Sequence, residues 1–236
     1  MEPTDRLSDQ DLTSMTVPAW EQAKAAIRAG DADRALALID AAVGRWRSLQ
    51  AYSIDWVTSL LSFIGRELGE QAVEDALRTT GTDVVRPRRD PDWSTRPAAV
   101  RAKAIARAMV ANFGECEVTE DDEKIVLSFR CGSGGRLIDS GRYDTEGGPF
   151  LTLRERDGRT FQRDALPVYC AHCSVNNEIQ PVEWGQPPTT VELPPTKPGE
   201  RCIHHVYRDQ RDVPDEVYRR IGKVKPGGDA QTSAPR

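Results

Sequence analysis

The sequence predicts an α+β protein: an N-terminal antiparallel helical bundle, followed by an antiparallel sheet packed with helices and carrying a Cys/His metal site. Three observations predict it. From Pro18 to about Thr80, apolar residues recur every three to four positions, the helical period. From Cys116 to Cys131 the period becomes two on either side of an Asp121-Asp122 turn, the pattern of a hairpin. Finally, four of the five cysteines and all three histidines fall in three short segments: Cys131-Gly132-Ser133-Gly134-Gly135, Tyr169-Cys170-Ala171-His172-Cys173 and Arg201-Cys202-Ile203-His204-His205.

Composition narrows the function. A chain of 236 residues holds one large domain or two small ones. A net charge of −5 opposes a general nucleic-acid binder, which carries a basic surplus. No apolar run reaches the length of a membrane span. The opening Met1-Glu2-Pro3-Thr4-Asp5 is acidic and polar, unlike an export signal, so the expected location is cytoplasmic. In a reducing compartment, paired cysteines hold metal or do redox chemistry more often than they form structural disulfides.

In chain order, residues 1–15 are polar and without period, and are expected as a disordered tail. Residues 16–82 are the helical bundle. Pro18 suits a first helical turn, and Gly30-Asp31 reads as a helix end followed by a new cap. Leu36, Ile39, Val43 and Trp46 then form one apolar stripe. A further helix opening after Ser53 repeats it with Trp56, Leu60, Ile64 and Leu68, and a shorter one carries Val73 and Leu77 to Gly81. Residues 83–97, rich in proline and charge, read as a linker. Its Arg86, Arg88 and Arg89 read as a solvated cluster balanced by Asp90 and Asp92 rather than an anion grip.

Residues 98–222 form the α+β metal-binding domain. A helix over 98–113 turns Ile105, Met109 and Phe113 to one face and Arg101, Lys103 and Arg107 to solvent. In the strand 124–131, Ile125, Leu127 and Phe129 alternate with polar neighbours, and Cys131 continues their phase, inward. Gly132–Gly135 is a sharp turn; it lacks the spacing of a phosphate-binding loop. Strands are expected over 149–153, 189–193 and 201–207, a short helix after Cys173 ending before Pro181, and a last helix from Pro214 to Ile221. Residues 223–236 are expected as a second disordered tail.

The cysteine and histidine pattern points to zinc, with iron as the alternative. Zinc takes four sulfur or nitrogen donors in a tetrahedron. Cys170 and Cys173 have the Cys-x-x-Cys spacing that turns two thiolates toward one ion. Cys202 and His204, two apart on a strand, share a face, while His205 points to the other. The candidate ligands are therefore Cys131, Cys170, Cys173, Cys202 and His204. His172 and His205 are candidates to move protons, and Glu178, or Glu183, to act as a base on metal-bound water. A redox dithiol at Cys170 and Cys173 lacks the strand-to-helix setting such pairs occupy. Cys116 reads as a core thiol.

Over residues 98–222 the order of helix, hairpin ending in Cys131, Cys170-x-x-Cys173 and Gly199-Glu200-Arg201-Cys202-Ile203-His204 resembles the L-2-amino-thiazoline-4-carboxylic acid hydrolase-like family and, more distantly, vinyl-reductase-like ligand-binding domains. The resemblance implies an α+β fold and hydrolytic opening of a small sulfur heterocycle, with Cys131, Cys170 and Cys202 at the matching cysteine positions. Where that family carries an acidic residue, this chain has Cys173, which shifts the site toward a thiolate-rich metal centre. Two functions are expected: a small-molecule enzyme using metal-assisted hydrolysis or lyase chemistry, or a ligand-binding, sensory or interaction module with structural zinc. The expected partners are a small-molecule ligand or substrate, with neither nucleic acid nor membrane, and a protein partner for the N-terminal helices.

Overall fold

The computed structural model describes residues 7–143 and 148–226. The chain divides into two compact units, Met1–Ser53 and Ile54–Arg236. The architecture is α+β, with a long N-terminal helical region and a four-stranded antiparallel sheet.

The first unit is helical from near its start. Helix α1 spans Asp9–Thr16, where a tail over 1–15 was expected; residues 1–6 of that expectation, and 227–236 of the C-terminal one, lie outside the described residues. A reciprocal cap explains the difference: Asp11 N–H donates to Ser8 Oγ (3.1 Å) and Ser8 N–H donates to Asp11 Oδ2 (2.8 Å). Helix α2 spans Ala19–Arg28, and Gly30 follows it with φ of 77°. The next element, α3, is a single 37-residue helix, Ala32–Leu68, in place of two helices broken at Ser53. Ser53 satisfies its hydroxyl inside the helix, donating to Leu49 O at 2.8 Å, so it caps nothing. The stripe Leu36, Ile39, Val43 and Trp46 is exposed rather than in a core, and the buried apolar residues among the described residues of this unit are Ala23, Ala26 and Ala35.

In the second unit, the end of α3 buries Ile54, Thr58, Leu61 and Ser62, while Trp56 and Leu60 of the expected stripe stay exposed. Ser62 Oγ accepts the Leu151 N–H at 2.9 Å, and α4 (Glu70–Thr80) adds Val73 and Leu77 to the same core. Residues 83–97, expected as a linker, lie largely in helical turns: a π turn over Gly81–Val85 and 3-10 turns over Arg86–Arg88 and Trp93–Thr95. Helix α5 (Ala98–Ala111) packs Ala98, Ala102 and Ile105 against a sheet core of Ile125, Leu127, Phe129, Cys202 and Val206. Arg101, expected toward solvent, is buried: its Nη2 donates to Tyr207 O (2.5 Å) and its Nε to Arg96 O (3.0 Å).

The sheet contains β1 (Glu115–Glu120), β2 (Lys124–Arg130), β5 (Val191–Leu193) and β6 (Cys202–Tyr207) in the order β1-β2-β6-β5. In register, Phe129 faces Cys202, and Leu127, His204 and Glu192 form one row across β2, β6 and β5. After Cys131 the glycine-rich turn leads into a short helix, α6 (Gly134–Asp139). A two-stranded ribbon, β3 (Thr152–Leu153) and β4 (Leu166–Pro167), precedes the Cys170 knuckle; β4 was not expected. From Cys173 to Ile179 the chain is π-helical and continues into α7 (Gln180–Glu183), passing Pro181 instead of ending before it. Pro181 falls in the first turn of the new α segment, where a missing N–H costs little. Helix α8 (Asp215–Arg220) is the last helix among the described residues. Among the described residues, no helix is long and apolar enough to cross a membrane.

Candidate metal centre

Cys170 belongs to the core built by the helices and the β3–β4 ribbon, and Cys202 to the core under the sheet. A cavity of about 60 Å³ between these cores is lined by Cys131, Cys170, Cys173 and Cys202 together with His172, His204 and Glu192. Strand alternation supplies Cys202 and His204 from one face of β6. Glu192 stands opposite His204 on β5, and Cys131 lies one residue past β2. Cys170 ends the 3-10 turn Val168–Cys170, and Cys173 opens the π segment. Helix α6 approaches the knuckle closely at Gly134, where a Cβ would stand 3.1 Å from Cys170 Sγ and 3.2 Å from Tyr169 Cδ1.

Burial governs the electrostatics. It pushes the thiols of Cys170, Cys173 and Cys202 well above the ordinary cysteine value; the neighbouring Glu192 carboxylate pushes all three further, and the Cys131 thiol does the same to Cys170 and Cys202. Burial pulls His204 down, with Glu192 opposing. A thiol raised in this way is a poor nucleophile, which disfavours a nucleophilic or redox role for Cys173 although its Sγ lies 3.6 Å from His172 Nε2. His172 Nδ1 is 2.5 Å from Tyr169 O. All five cysteines are free.

Two buried polar atoms at the cavity have no partner among the described residues. Glu192, 1% exposed, accepts from Asn177 Nδ2 at 2.8 Å through Oε1, but its Oε2 is unsatisfied. His204 Nδ1 is likewise unsatisfied, 3.8 Å from Glu192 Oε1. A buried carboxylate with so few donors is costly unless a cation compensates it. Thiol, imidazole and carboxylate are the donor types that zinc takes. Among the described residues, no three Cys, His, Asp or Glu side chains already stand around one point. Cys131 Sγ, for example, is 3.1 Å from Ser133 Oγ.

The five candidate ligands, with His172, thus line one cavity. His205 and Glu178, proposed from sequence as proton carriers, do not. His205 is half-buried on the opposite face of β6, its ring 6.3 Å from that of Tyr207. Glu178 is fully buried, accepting from Arg220 Nη2 (2.5 Å) and from the Glu192 N–H (2.7 Å), and burial pushes its carboxyl up to about 7. Glu183 is held by Arg78 and Lys223. Cys116 packs against the sheet core. Sequence reasoning missed Glu192; a lone charge between Val191 and Leu193 in a predicted strand was the available signal. Comparison of the chain with protein-family models, with curated proteins and with solved structures returned no match.

Proposed function

We propose that this chain is a metal-binding protein in which one zinc ion, with iron as the alternative, ties the four-stranded sheet to the 168–183 segment. The observation that carries the reading is the convergence, around one small cavity, of donors from three distant segments beside two buried polar atoms that lack partners among the described residues. Cys170, Cys173, Cys202 and His204 would supply the four ligands. Glu192 would then take the Nδ1–H of His204, the outer hydrogen bond that orients a ligating imidazole. Cys131 is the competing fourth donor, requiring its thiol to leave Ser133. Assembly of the set requires rotation of these side chains within the cavity.

Volume favours a structural centre over a catalytic one. The cavity measures about 60 Å³, whereas ligand pockets run to ~300–1,000 Å³. Hydrolysis or lyase chemistry would need an open fourth position and room beside it for substrate. The test is cobalt substitution. The expected result is a tetrahedral, thiolate-bearing absorption spectrum that small anions and added thiols leave unchanged, lost in Cys170→Ser or Cys202→Ser and retained in Cys116→Ser. A spectrum that shifts with added anion would reinstate the enzyme reading. Spectra without thiolate bands would overturn both.

A further inference from the structure

The arginine cluster of residues 86–89 is balanced on all sides but one. The Arg86 guanidinium lies 5.0 Å from the Trp184 ring centroid, and Arg88 Nη1 donates to Val84 O at 2.7 Å. The Asp90 carboxylate is taken by Arg96 Nε (2.8 Å) and the Asp92 N–H (3.0 Å). Arg89 differs. Its Nε and Nη2 are shielded from solvent and have no hydrogen-bond partner among the described residues. These two atoms form one edge of the guanidinium, the edge that meets two oxygens of a carboxylate side by side. Burial alone depresses its pKa, with no acidic group opposing, which describes a cation without a counter-ion.

Arg89 lines an open cleft of about 510 Å³ with Val84, Val85, Trp93, Asn177 and Thr189, and with Arg88 and Asp90, whose carboxylate Arg96 Nε holds at 2.8 Å. Trp93 is fixed there, its Nε1 donating to Thr189 O at 3.1 Å, and Thr189 Oγ1 is another buried polar atom without a partner. The composition is that of a small-molecule pocket: apolar and aromatic walls with a few convergent polar groups, at a volume within the usual range of ~300–1,000 Å³.

We propose that this cavity binds a small amphipathic carboxylate, its anionic end on the Nε/Nη2 edge of Arg89 and its apolar body against Trp93, Val84 and Val85. Thr189 Oγ1 is the additional donor. No hydrogen bond holds the guanidinium, so a rotation of the side chain brings the free edge to the ligand. The apolar walls of Val84, Val85 and Trp93 suit a monoanion with a hydrocarbon body better than phosphate, which has no apolar part to bury there. The site goes beyond the metal centre and does not depend on it; Asn177 borders both, its Nδ2 bonded to Glu192.

The test uses the full chain, with metal content held fixed, and calorimetric titration of wild type and Arg89→Gln with benzoate, hexanoate, benzamide and inorganic phosphate. The expected result is saturable binding of benzoate or hexanoate to wild type. It weakens about tenfold or more in Arg89→Gln and for neutral benzamide, as loss of a charge-assisted pair requires. Arg89→Gln without ligand should melt no lower than wild type, because it removes an uncompensated charge. Four results would overturn the proposal: no binding of either carboxylate, equal affinity for benzoate and benzamide, phosphate bound more tightly than both carboxylates, or a markedly lower melting temperature for Arg89→Gln. The last would make Arg89 a structural residue.

Discussion

Replacing Glu192 by glutamine should change stability in opposite directions with and without metal. In wild type the carboxylate is 1% exposed, one oxygen accepts from Asn177 Nδ2 at 2.8 Å, and the other has no partner. An unsatisfied buried polar atom costs ~1–3 kcal/mol, more when charged, while the bond from Asn177 loses some strength when its acceptor becomes neutral. The net expectation in chelator is a glutamine variant more stable by about 1 kcal/mol. The same substitution removes the negative charge that helps hold the Cys170, Cys173 and Cys202 thiols high, so their alkylation by iodoacetamide should speed up. With zinc the sign reverses. Loss of the outer partner of a ligating histidine weakens affinity by ~10–100-fold, about 1.4–2.7 kcal/mol. Urea unfolding of both proteins in chelator and with stoichiometric zinc reads both effects. A variant less stable in chelator with unchanged zinc affinity would refute the assignment of Glu192 to the centre.

Other substitutions probe neighbouring parts of the structure. Gly134→Ala should cost about 1–3 kcal/mol by urea unfolding, since its Cβ would crowd Cys170 Sγ and Tyr169 Cδ1; an unchanged midpoint would mean α6 does not need that approach. Zinc affinity by competition should fall as pH drops, because protons must leave buried thiols that lie above the ordinary range; a flat profile would exclude thiolate ligation. Glu178 is pushed from 4.5 up to about 7 in the folded chain, so its contribution is fully present below 4.5 and lost as pH rises through about 7. Glu178→Gln should flatten the stability profile over that window, and an unchanged slope would place the titration elsewhere. Arg101→Met should destabilise by about 1–3 kcal/mol by leaving the Tyr207 and Arg96 carbonyls without their donor.

Much of the second unit was legible from residue pattern. The alternation of Ile125, Leu127 and Phe129 and the two-residue step from Cys202 to His204 correctly placed their side chains on one face of the sheet. Local chemistry was less legible where a residue had two uses. A new helix was expected to open after Ser53, but Ser53 bonds back to Leu49 within an unbroken helix, and Ser8, in a segment read as tail, caps one. Pro181 reads as a stop but sits at the start of an α turn emerging from a π segment. Arg101 reads as solvated, whereas two backbone carbonyls draw it into the interior.

Glu192 was hidden for a related reason. Alternation between Val191 and Leu193 assigns a glutamate to solvent, but Glu178 bonds its backbone N–H and the cavity encloses its carboxylate. Covering that face takes a segment fourteen residues upstream, which no local pattern encodes. The exposed Leu36, Ile39 and Trp46 reverse the error: a helical stripe gives the apolar face without giving what covers it.

The most direct measurement is the metal content of the purified full chain by elemental analysis, paired with unfolding after chelation. The account predicts one zinc, or one iron, per chain, and a fall in stability when it is stripped. A chain purified from zinc-replete medium that is metal-free, takes up none on addition and melts identically with and without chelator would contradict it.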